Sequence, residues 1–489
     1  MNAQGFPLGL IGLGTMGSAL AERLLEQGFA LLPCSYDEQE RARFTARTGF
    51  TGVVGNAHAL TSELSAPRVV LLMITAGDAV DQVIADLRPH LAPGDVIIDG
   101  GNAHFRDTER RANTLREWGV GFVGAGISGG EDGARHGAAL MIGASAAEFA
   151  RCRPVFEALA ARAGGRACVS HVGPAPAGHF VKTVHNGIEY ALMQVIADLW
   201  RTLADTLALD RGAQRDLFAR WADGPCAGFL VSLTRDILGV TDDLGPGYLL
   251  DQVSDRAGQK GTGRWTLEAA LELGVPMPLL AAALHERMIS DAWSRRSGRF
   301  GFGAPSHQGI GAPTRAPTEN CDRLPEVQLS DAIRVEGVLE TALLGAAAIS
   351  FAQGFELIAA ARTAWGWRVD AADLARTWQG GCIIRAQLLG RFEHALARQT
   401  DAAQLVGSVL GMQDTEARAA LRTVVTGSLA AGVSVPALSA AVAWLDSLAT
   451  PRLGTQLIQA QRDAFGAHGF ERRDRDGVFH HAWRPDLNA

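Results

Sequence analysis

The sequence predicts an α/β domain with a mostly parallel sheet, followed by a large all-α domain. Short apolar runs at residues 29–35, 68–74 and 95–99 are separated by helical patterns, which is typical of βαβ units. Beyond Gly178 the strand signals fade, and long helical periodicities broken by Pro and Gly take over. The boundaries that we expect are residues 1–177 for the α/β domain, 178–450 for the helical domain, 451–489 for a C-terminal tail, and 297–325 for a long Gly/Pro/Ser-rich loop within the helical domain.

Composition describes an ordinary soluble protein. The 489 residues are 47% hydrophobic, which suffices for large cores, and a net charge of −7 gives no reason to expect nucleic acid as a partner. Six scattered cysteines without a CxxC pair suit a reducing cytoplasm and argue against a disulfide framework or a zinc site. The first residues lack a basic segment, and no run of 18 or more apolar residues is free of charge. We therefore expect neither a signal peptide nor a membrane span.

A glycine-rich turn lies between the first predicted strand and the first predicted helix. Its spacing, GxGxxG, lets backbone N–H groups and the helix N-terminus approach a pyrophosphate, and the strand–turn–helix context favours a dinucleotide site. The alternative is a turn that serves helix–strand packing alone. The candidate cofactor-binding residues in this turn are Gly12, Gly14, Thr15, Met16 and Gly17.

The second predicted strand ends in Ser35-Tyr36-Asp37, about 20 residues after the glycines. An acid at this distance usually accepts hydrogen bonds from the ribose 2′-hydroxyl and repels a 2′-phosphate. Asp37 therefore favours NAD, whereas Arg41 and Arg43 weakly favour NADP or only cover a helix face.

Three further loops follow predicted strands. They are small or glycine-rich, so their backbone amides can meet a carboxylate, and ligands bind at strand ends in sheets of this kind. Each loop alone is as readily a plain turn. The candidate residues are Thr75, Asn102, Ser128, Gly129 and Gly130.

Residues 178–200 are predicted to form a long helix with one chemically mixed polar face. That face carries Lys182, His185, Asn186, Glu189 and Tyr190. A solvent-facing stripe is the alternative, but an amine, imidazole, amide, carboxyl and phenol together are typical of an acid–base site. Lys182 and Lys260 are also the only lysines in a chain whose other basic side chains are arginine. Keeping lysine at these positions indicates a need for an amine that can lose its proton.

A second candidate site is a glycine-flanked loop with Lys260 and Thr262, which suits an anion. Arg287 follows on a predicted helix and is otherwise a surface arginine. Near the C-terminus, Arg462 lies six residues before His468. We expect the later His480-His481 pair to be a frayed tail rather than a metal site.

Several long motifs resemble one family, the decarboxylating 6-phosphogluconate dehydrogenases of the pentose phosphate pathway. The motifs run nearly end to end: GLGTMG, DVIIDGGNAHFRDTERR, GAGISGGEDGARHGAALMIGA, GHFVKTVHNGIEYALMQ, DRAGQKGTGRWT, ISFAQGF, WQGGCIIR and IQAQRDAFGAH. The resemblance implies a Rossmann-like first domain, an all-helical second domain, and a tail that threads into the partner of a homodimer.

The same resemblance implies roles for individual residues. Lys182 is the expected general base and Glu189 the expected general acid. The groups expected to hold the sugar acid and the nicotinamide are Asn102, Ser128, Gly129, Gly130, His185 and Asn186. The expected phosphate clamp is Tyr190, Lys260, Thr262 and Arg287, with Arg462 and His468 reaching the neighbouring subunit's site.

The chain departs from the family pattern around the cofactor. The usual Asn-Arg-Thr after the second strand reads Ser35-Tyr36-Asp37, and the usual VKAG reads ITAG at residues 74–77. Two cations are lost and one acid is gained, so we expect NAD to be preferred, with NADP as the alternative. The glycine at the third position of the first motif, where the family usually has alanine, is closer to general 3-hydroxyacid dehydrogenases.

The expected reaction is oxidation of a 3-hydroxy acid followed by loss of CO2, which turns 6-phosphogluconate into ribulose 5-phosphate. No metal is required if a cationic Lys182 stabilises the enolate oxygen. Such a base needs a pKa of about 7 to 8, which burial and nearby cations can supply. Two alternatives remain: a dehydrogenase or reductase of another, unphosphorylated 3-hydroxy acid, and a cofactor-binding regulator without turnover. The intact clamp argues against the first, and the intact Lys182–Glu189 pair argues against the second.

Overall fold

The computed structural model describes residues 7–292, 329–398 and 401–483, with side chains from residue 335 onward in the second range. The loop expected at residues 297–325 lies outside the described residues. Internal contacts divide the chain into two compact units, Met1–Ala441 and Val442–Ala489.

The first unit contains a seven-stranded sheet in the order β2-β1-β3-β4-β5-β6-β9. All neighbouring strands are parallel except the β5–β6 pair. The expected α/β class with a mostly parallel sheet is therefore confirmed. The strands are β1 Leu8–Ile11, β2 Leu31–Cys34, β3 Val69–Leu72, β4 Val96–Asp99, β5 Gly121–Ser128, β6 Ala139–Gly143 and β9 Val169–Gly173, and the short β7 Arg162–Ala163 and β8 Arg166–Ala167 form a separate hairpin.

Helices cover both faces of this sheet. Alternation along the strands divides the apolar side chains between two cores, so that Leu71 packs into one layer and Leu72 into the other. The strand order reverses between β1 and β3, the position where open α/β sheets bind ligands. The helices of this part are α1 Thr15–Glu26, α2 Glu38–Thr48, α3 Ala57–Glu63, α4 Asp78–Leu87, α5 Phe105–Glu117, α6 Gly130–His136 and α7 Ala146–Leu159.

The other described residues of the first unit are mainly helical, as the sequence predicted. The helices are α8 Ala175–Arg201, α9 Arg211–Asp223, α10 Phe229–Leu238, α11 Thr262–Leu273, α12 Pro278–Asp291, α13 Leu329–Trp365, α14 Ala371–Thr377, α15 Leu388–Leu396, α16 Ala402–Leu410, α17 Asp414–Ala430 and α18 Pro436–Ala449, the last of which crosses into the second unit. Among the described residues, one stretch, Val335–Trp365, is long and apolar enough to cross a membrane by composition. Since 83% of its most apolar window is buried inside the structure, it fits a core helix.

Helix α8 lies directly on the sheet because glycines remove the side chains between them. A Cβ atom at Gly178 would lie 1.9 Å from the carbonyl oxygen of Gly124 on β5. A Cβ at Gly126, two residues along the strand, would lie 2.6 Å from Lys182 Cβ. This close approach places Lys182 above the carboxyl half of β5.

An aromatic cluster fixes another face of α8. The Phe180 ring packs 5.4 Å from Phe105 of α5 and 5.1 Å from Trp365 at the end of α13, measured between ring centroids. The Trp365 and Trp367 rings lie 4.6 Å apart. The cluster ties α8 to both parts of the first unit.

The second unit is organised around Asp463, which is fully buried on α19 Thr455–Gly466. Its carboxylate accepts hydrogen bonds from Gly469 N, His480 Nδ1, His481 N and Trp483 Nε1 at 2.7 to 3.0 Å. Burial raises the pKa of Asp463, but the bonds from His480 and Trp483 outweigh it and hold the pKa below its usual value. The expectation of a frayed tail at His480-His481 is therefore wrong, since the buried carboxylate anchors both residues beside the β10 Phe470–Glu471 and β11 Val478–Phe479 ribbon.

Candidate active site

The three glycines of the first turn serve different purposes. Gly12 has a φ of +103°, which favours glycine, and a Cβ at Gly17 would lie 1.9 Å from the Gly12 carbonyl oxygen. Gly14 precedes α1, and no side chain caps that helix. The first-turn N–H groups of Thr15, Met16 and Gly17 are thus open to an anion, and the residues present fit a dinucleotide pyrophosphate.

The end of β2 presents the three residues predicted to meet the adenosine. Ser35 is buried, and the Tyr36 hydroxyl donates to Asp86 Oδ2 at 3.1 Å. Burial and the Asp86 charge raise the pKa of Tyr36 above its usual value. Asp37 Oδ1 accepts from the backbone N–H groups of Gln39 at 2.7 Å and Glu40 at 3.4 Å, so this acid caps α2.

A carboxylate that the sequence reasoning missed lies in the same place. Glu40 Oε2 accepts from the Ser35 hydroxyl at 2.7 Å and from Leu13 N of the glycine turn at 3.2 Å. In the sequence, an acid three residues after Asp37 matches a capping pattern, so the pattern gave no separate signal for a ligand site.

A buried ion pair holds the loops after β3 and β4. Asp99 Oδ1 accepts from Gly101 N at 3.1 Å, while Arg111 Nη2 donates to the Gly77 carbonyl at 2.9 Å. The Asp99 and Arg111 side chains lie 3.7 Å apart. Sequence reasoning missed both residues, although they lie in the DVIID and DTERR motifs. The exposed candidates Thr75 and Asn102 belong to the two loops that this pair fixes.

Lys182 is 6% exposed, on the face of α8 that contacts β5. Burial lowers the pKa of its amine to about 8, and Glu189, followed by Cys382, opposes that shift when ionised. The cause is burial rather than neighbouring cations. Burial also raises the pKa of Glu189, against the positive charges of Lys182 and Arg287. Both shifts bring the two groups towards the neutral forms that a base and an acid require.

His185 joins the end of β5 to α8. Its Nε2 lies 3.0 Å from Ser128 Oγ, and its Nδ1 lies 3.2 Å from Asn186 Oδ1. Burial, followed by the charge of Lys182, keeps the pKa of His185 well below its usual value, so the ring is neutral. The tautomer that satisfies both contacts donates from Nδ1 to the amide oxygen and accepts the serine hydroxyl at Nε2.

The turn after Ser128 has no room for a side chain at Gly129. Gly129 and Gly130 both have positive φ, and a Cβ at Gly129 would lie 2.5 Å from the Gly381 carbonyl oxygen. The loop is therefore held against the segment that follows α14.

Residues of the predicted anion site lie beside α8. The Arg287 guanidinium lies 3.7 Å from the Tyr190 ring centroid and donates Nη1 to the Gly258 carbonyl at 3.0 Å. Thr262 begins α11 without a side-chain cap, and a Cβ at Gly263 would lie 2.8 Å from the Tyr190 ring. Tyr190, Thr262 and Arg287 are thus brought together, and the exposed Lys260 lies two residues before α11.

Arg462 and His468 lie in the second unit. Both are exposed, and Arg462 Nη1 donates to Gln459 Oε1 at 3.1 Å within α19. Their expected role in a neighbouring subunit stays a prediction. Across the described ranges 7–292, 329–398 and 401–483, no group of three or more His, Cys, Asp or Glu side chains is arranged to hold a metal ion.

A glycine turn at the switch point of a parallel sheet, combined with a buried lysine and a half-buried glutamate on the helix that packs against β5, is the architecture of a nicotinamide-dinucleotide oxidoreductase. Comparison with known families then gives a direct match over both parts of the chain. Residues 7–173 match the NAD binding domain of 6-phosphogluconate dehydrogenase, and residues 178–483 match the 6-phosphogluconate dehydrogenase C-terminal domain. The chain belongs to the 6-phosphogluconate dehydrogenase family, which confirms the resemblance read from its motifs.

Individual relatives agree over the whole length. The NADP(+)-dependent, decarboxylating 6-phosphogluconate dehydrogenase of Bacillus subtilis is 37% identical over 97% of this chain and 98% of its own. The decarboxylating enzyme of Synechococcus elongatus is 39% identical with the same coverage. The solved structure of Plasmodium falciparum 6-phosphogluconate dehydrogenase, described with NADP+ and with 6-phosphogluconate, has a TM-score of 0.87 and 32% identity. It covers 98% of this chain and 100% of that one.

Proposed function

We propose that this protein oxidises and decarboxylates 6-phosphogluconate to ribulose 5-phosphate and CO2. The observation that carries the proposal is the buried amine of Lys182, on the helix that connects the strand-end loops with the Tyr190–Arg287 anion site. Burial lowers the pKa of this amine to about 8. Names of relatives that share the whole chain support the same reaction. A bound nicotinamide supplies the hydride acceptor, and the residues of this chain hold the substrate and move its protons.

In the first step, neutral Lys182 accepts the proton of the C3 hydroxyl while the C3 hydrogen leaves as hydride. The products are a 3-keto acid and a cationic lysine. Because the site is buried, the new positive charge is poorly hydrated and interacts strongly with negative charge that develops on the C3 oxygen. The neutral His185 and Ser128 pair holds the substrate without adding a competing charge.

In the second step, the carboxylate leaves as CO2 and its bonding electrons form an enediolate. Cationic Lys182 returns its proton to the C3 oxygen, which gives an enediol. Glu189, whose pKa is raised by burial, then donates a proton to the former C2, which becomes C1 of the ketose. Neutral Lys182 takes the hydroxyl proton on the former C3 as the ketone carbonyl forms there. The phosphate of the substrate is held by Arg287, Tyr190, Thr262 and Lys260 beside the uncapped start of α11.

We further propose that NAD is the preferred cofactor, although the Bacillus subtilis relative is named as NADP(+)-dependent. Carboxylates gather at the carboxyl end of β2: Asp37 caps α2, Glu40 contacts the glycine turn, and Asp86 receives the Tyr36 hydroxyl. A 2′-phosphate in this neighbourhood meets negative charge, whereas a 2′-hydroxyl can donate to it.

We also propose that the enzyme works as a cytoplasmic homodimer in which residues 451–489 complete the partner's site with Arg462 and His468. Three apolar side chains of α19 support this assembly, because exposed apolar surface is typical of a protein interface. Leu457, Ile458 and Phe465 are 63%, 56% and 76% exposed in the single chain. The described cysteines are free thiols, which suits the reducing cytoplasm.

The deciding experiment is a turnover assay with 6-phosphogluconate that compares NAD with NADP and traps released CO2. We expect reduced cofactor and CO2 in equal amounts, a higher kcat/KM with NAD, and little turnover of gluconate, which lacks the phosphate. Reduced cofactor without CO2, or equal activity on gluconate, would contradict the proposed reaction. A higher kcat/KM with NADP would contradict only the proposed cofactor preference.

Lys182→Met separates chemistry from binding in the same assay. Turnover should fall by about 10²- to 10⁴-fold, the usual contribution of a general base, while NAD affinity stays unchanged. The chain's other lysine provides a matched control, since Lys260→Met should raise KM for 6-phosphogluconate and leave kcat nearly intact. Substantial kcat in Lys182→Met would show that another group is the base.

A further inference from the structure

Helix capping does not explain the orientation of the Glu40 side chain. It is the third residue of α2, and an acid there usually reaches back to the N–H of the cap residue, here Asp37. That N–H instead donates to Ser35 Oγ at 3.2 Å. The Glu40 carboxylate has therefore turned away from its own helix.

The carboxylate lies instead against the dinucleotide turn. Oε2 accepts from Leu13 N at 3.2 Å and from Ser35 Oγ at 2.7 Å, so two elements fix its position. Oε1 lies 3.4 Å from the point that a Cβ of Gly14 would occupy. Gly14 is the glycine of the turn at which a pyrophosphate comes closest to the backbone. Glu40 thus lies between the pyrophosphate position and the end of β2, where the adenosine ribose binds in such sheets.

We propose that Glu40 is the residue that accepts the ribose 2′-hydroxyl and rejects a 2′-phosphate. The inference rests on the proposed function and names the residue behind its cofactor preference. Asp37, the residue expected from the sequence, has Oδ1 engaged with two N–H groups of α2. Arg41, the nearby cation that weakly favoured NADP, donates Nη1 to the Ser35 carbonyl at 2.8 Å.

Ser35 and Glu40 are in contact and have different roles. Ser35 is a positioning residue, because its hydroxyl donates to Glu40 Oε2 and accepts from Asp37 N. Glu40 supplies the charge. A carboxylate accepts a strong hydrogen bond from a hydroxyl and repels the nearly doubly charged 2′-phosphate of NADP at neutral pH.

The test is the variant Glu40→Gln, which keeps an acceptor for Leu13 N and removes the charge. The ratio of kcat/KM with NADP to kcat/KM with NAD should rise by about tenfold or more, equivalent to about 1.4 kcal/mol. Glu38→Gln is the matched control, since Glu38 is an exposed acid in the same first turn of α2. It should leave the ratio within about twofold of wild type, because exposed charges are well screened.

Two further variants keep the inference falsifiable. Ser35→Ala should shift the ratio in the same direction as Glu40→Gln but less, since the acid loses one anchor and keeps its charge. If Asp37→Asn shifts the ratio and Glu40→Gln does not, the assignment is overturned in favour of Asp37. Calorimetric titration of each folded variant with NAD+ and NADP+ measures the ratio of the two cofactor affinities, which does not depend on turnover.

The outcomes separate this inference from the proposed function. A wild-type enzyme that prefers NADP contradicts the proposed cofactor preference, yet the comparison of Glu40→Gln with Glu38→Gln still decides whether Glu40 discriminates. Conversely, a wild type that prefers NAD with no response to Glu40→Gln leaves the proposed function standing and overturns the role of Glu40.

Discussion

The amine of Lys182 can accept a hydroxyl proton only when it is uncharged. In the proposed mechanism its pKa of about 8 sets the pH at which the first step becomes efficient, and burial is the main reason that this pKa is near neutrality. Glu189 complicates the pH profile of the wild type, because the proposed second step requires it to be protonated and its charge also raises the pKa of Lys182.

Glu189→Gln simplifies the pH dependence by fixing that side chain as neutral. We expect the single-turnover rate of hydride transfer, measured below KM, to rise with pH and level off. Since the raising effect of the Glu189 charge is gone, the midpoint should lie somewhat below the Lys182 pKa of about 8. Stopped-flow absorbance of the reduced nicotinamide measures it. A rate that stays constant between about pH 6 and pH 9 would show that Lys182 is not the base.

Site residues can be predicted from the sequence when they lie at helical spacing on one face of one helix. Lys182, His185 and Glu189 share a face at helical spacing, so they could be named together before the fold was known. Glu40 and Arg111 could not, because their partners are 27 and 34 residues away and the local pattern around each fits an ordinary helix. Long-range hydrogen bonds leave no periodic trace in the sequence.

Among the elements, α8 depends most on glycines of the sheet beneath it. Its backbone packs against Gly124 and Gly126 of β5. Any residue with a Cβ at these positions would keep Lys182 farther from the strand. The helix could be predicted from its periodicity, but its contact with these glycines could not, since a glycine on a strand equally marks a bulge or a turn.

Gly126→Ala tests this contact. The added methyl would lie 2.6 Å from Lys182 Cβ and 2.7 Å from the Gly178 carbonyl oxygen, so α8 must shift. We expect a loss of about 1 to 3 kcal/mol in the free energy of unfolding, measured in urea, together with a fall in kcat as the amine moves. Gly390→Ala on α15, where a Cβ would meet nothing within 4 Å, should be neutral or stabilising. Equal stability and kcat in both variants would contradict the packing argument.

The strands show where element-level prediction ends. β2, β3 and β4 were expected from apolar runs between helical patterns, and the structure shortens each by one to three residues. β6 and β9 had no such signal, because β6 lies in a Gly/Ala-rich run and β9 contains the adjacent polar residues Ser170 and His171. Both strands are specified by pairing with distant partners, β6 with β5 and β9 with β6.

For the whole molecule, the sequence predicted the order of an α/β part and a helical part, and family matches meet between residues 173 and 178. The boundary of the tail is harder to place, because the contact division at Ala441 falls within α18 while the composition changes near residue 450. Because the helix continues without a break through Ala441, its sequence pattern gives no sign of the division between the two units. The expected domain limits stay predictions.

The proposed exchange of tails predicts that two defective enzymes repair each other. Lys182→Met removes the base from a chain's own site, and Arg462→Ala removes a cation that the tail gives to the partner. In a mixed dimer, purified through two different affinity tags, one site carries both defects and the other carries neither. We therefore expect about half of the wild-type rate per dimer at low 6-phosphogluconate concentration.

Each pure variant provides the control for the mixed dimer. Lys182→Met dimers should be inactive, and Arg462→Ala dimers should need about 10- to 100-fold more substrate, because a charged hydrogen bond contributes about 1.5 to 3 kcal/mol. If Arg462 served the site of its own chain, the mixed dimer would contain no intact site and would be no more active per dimer than half an Arg462→Ala dimer. Recovery well above that level requires the tail to act across the subunit boundary, since in no other arrangement do Lys182 and Arg462 meet in one site.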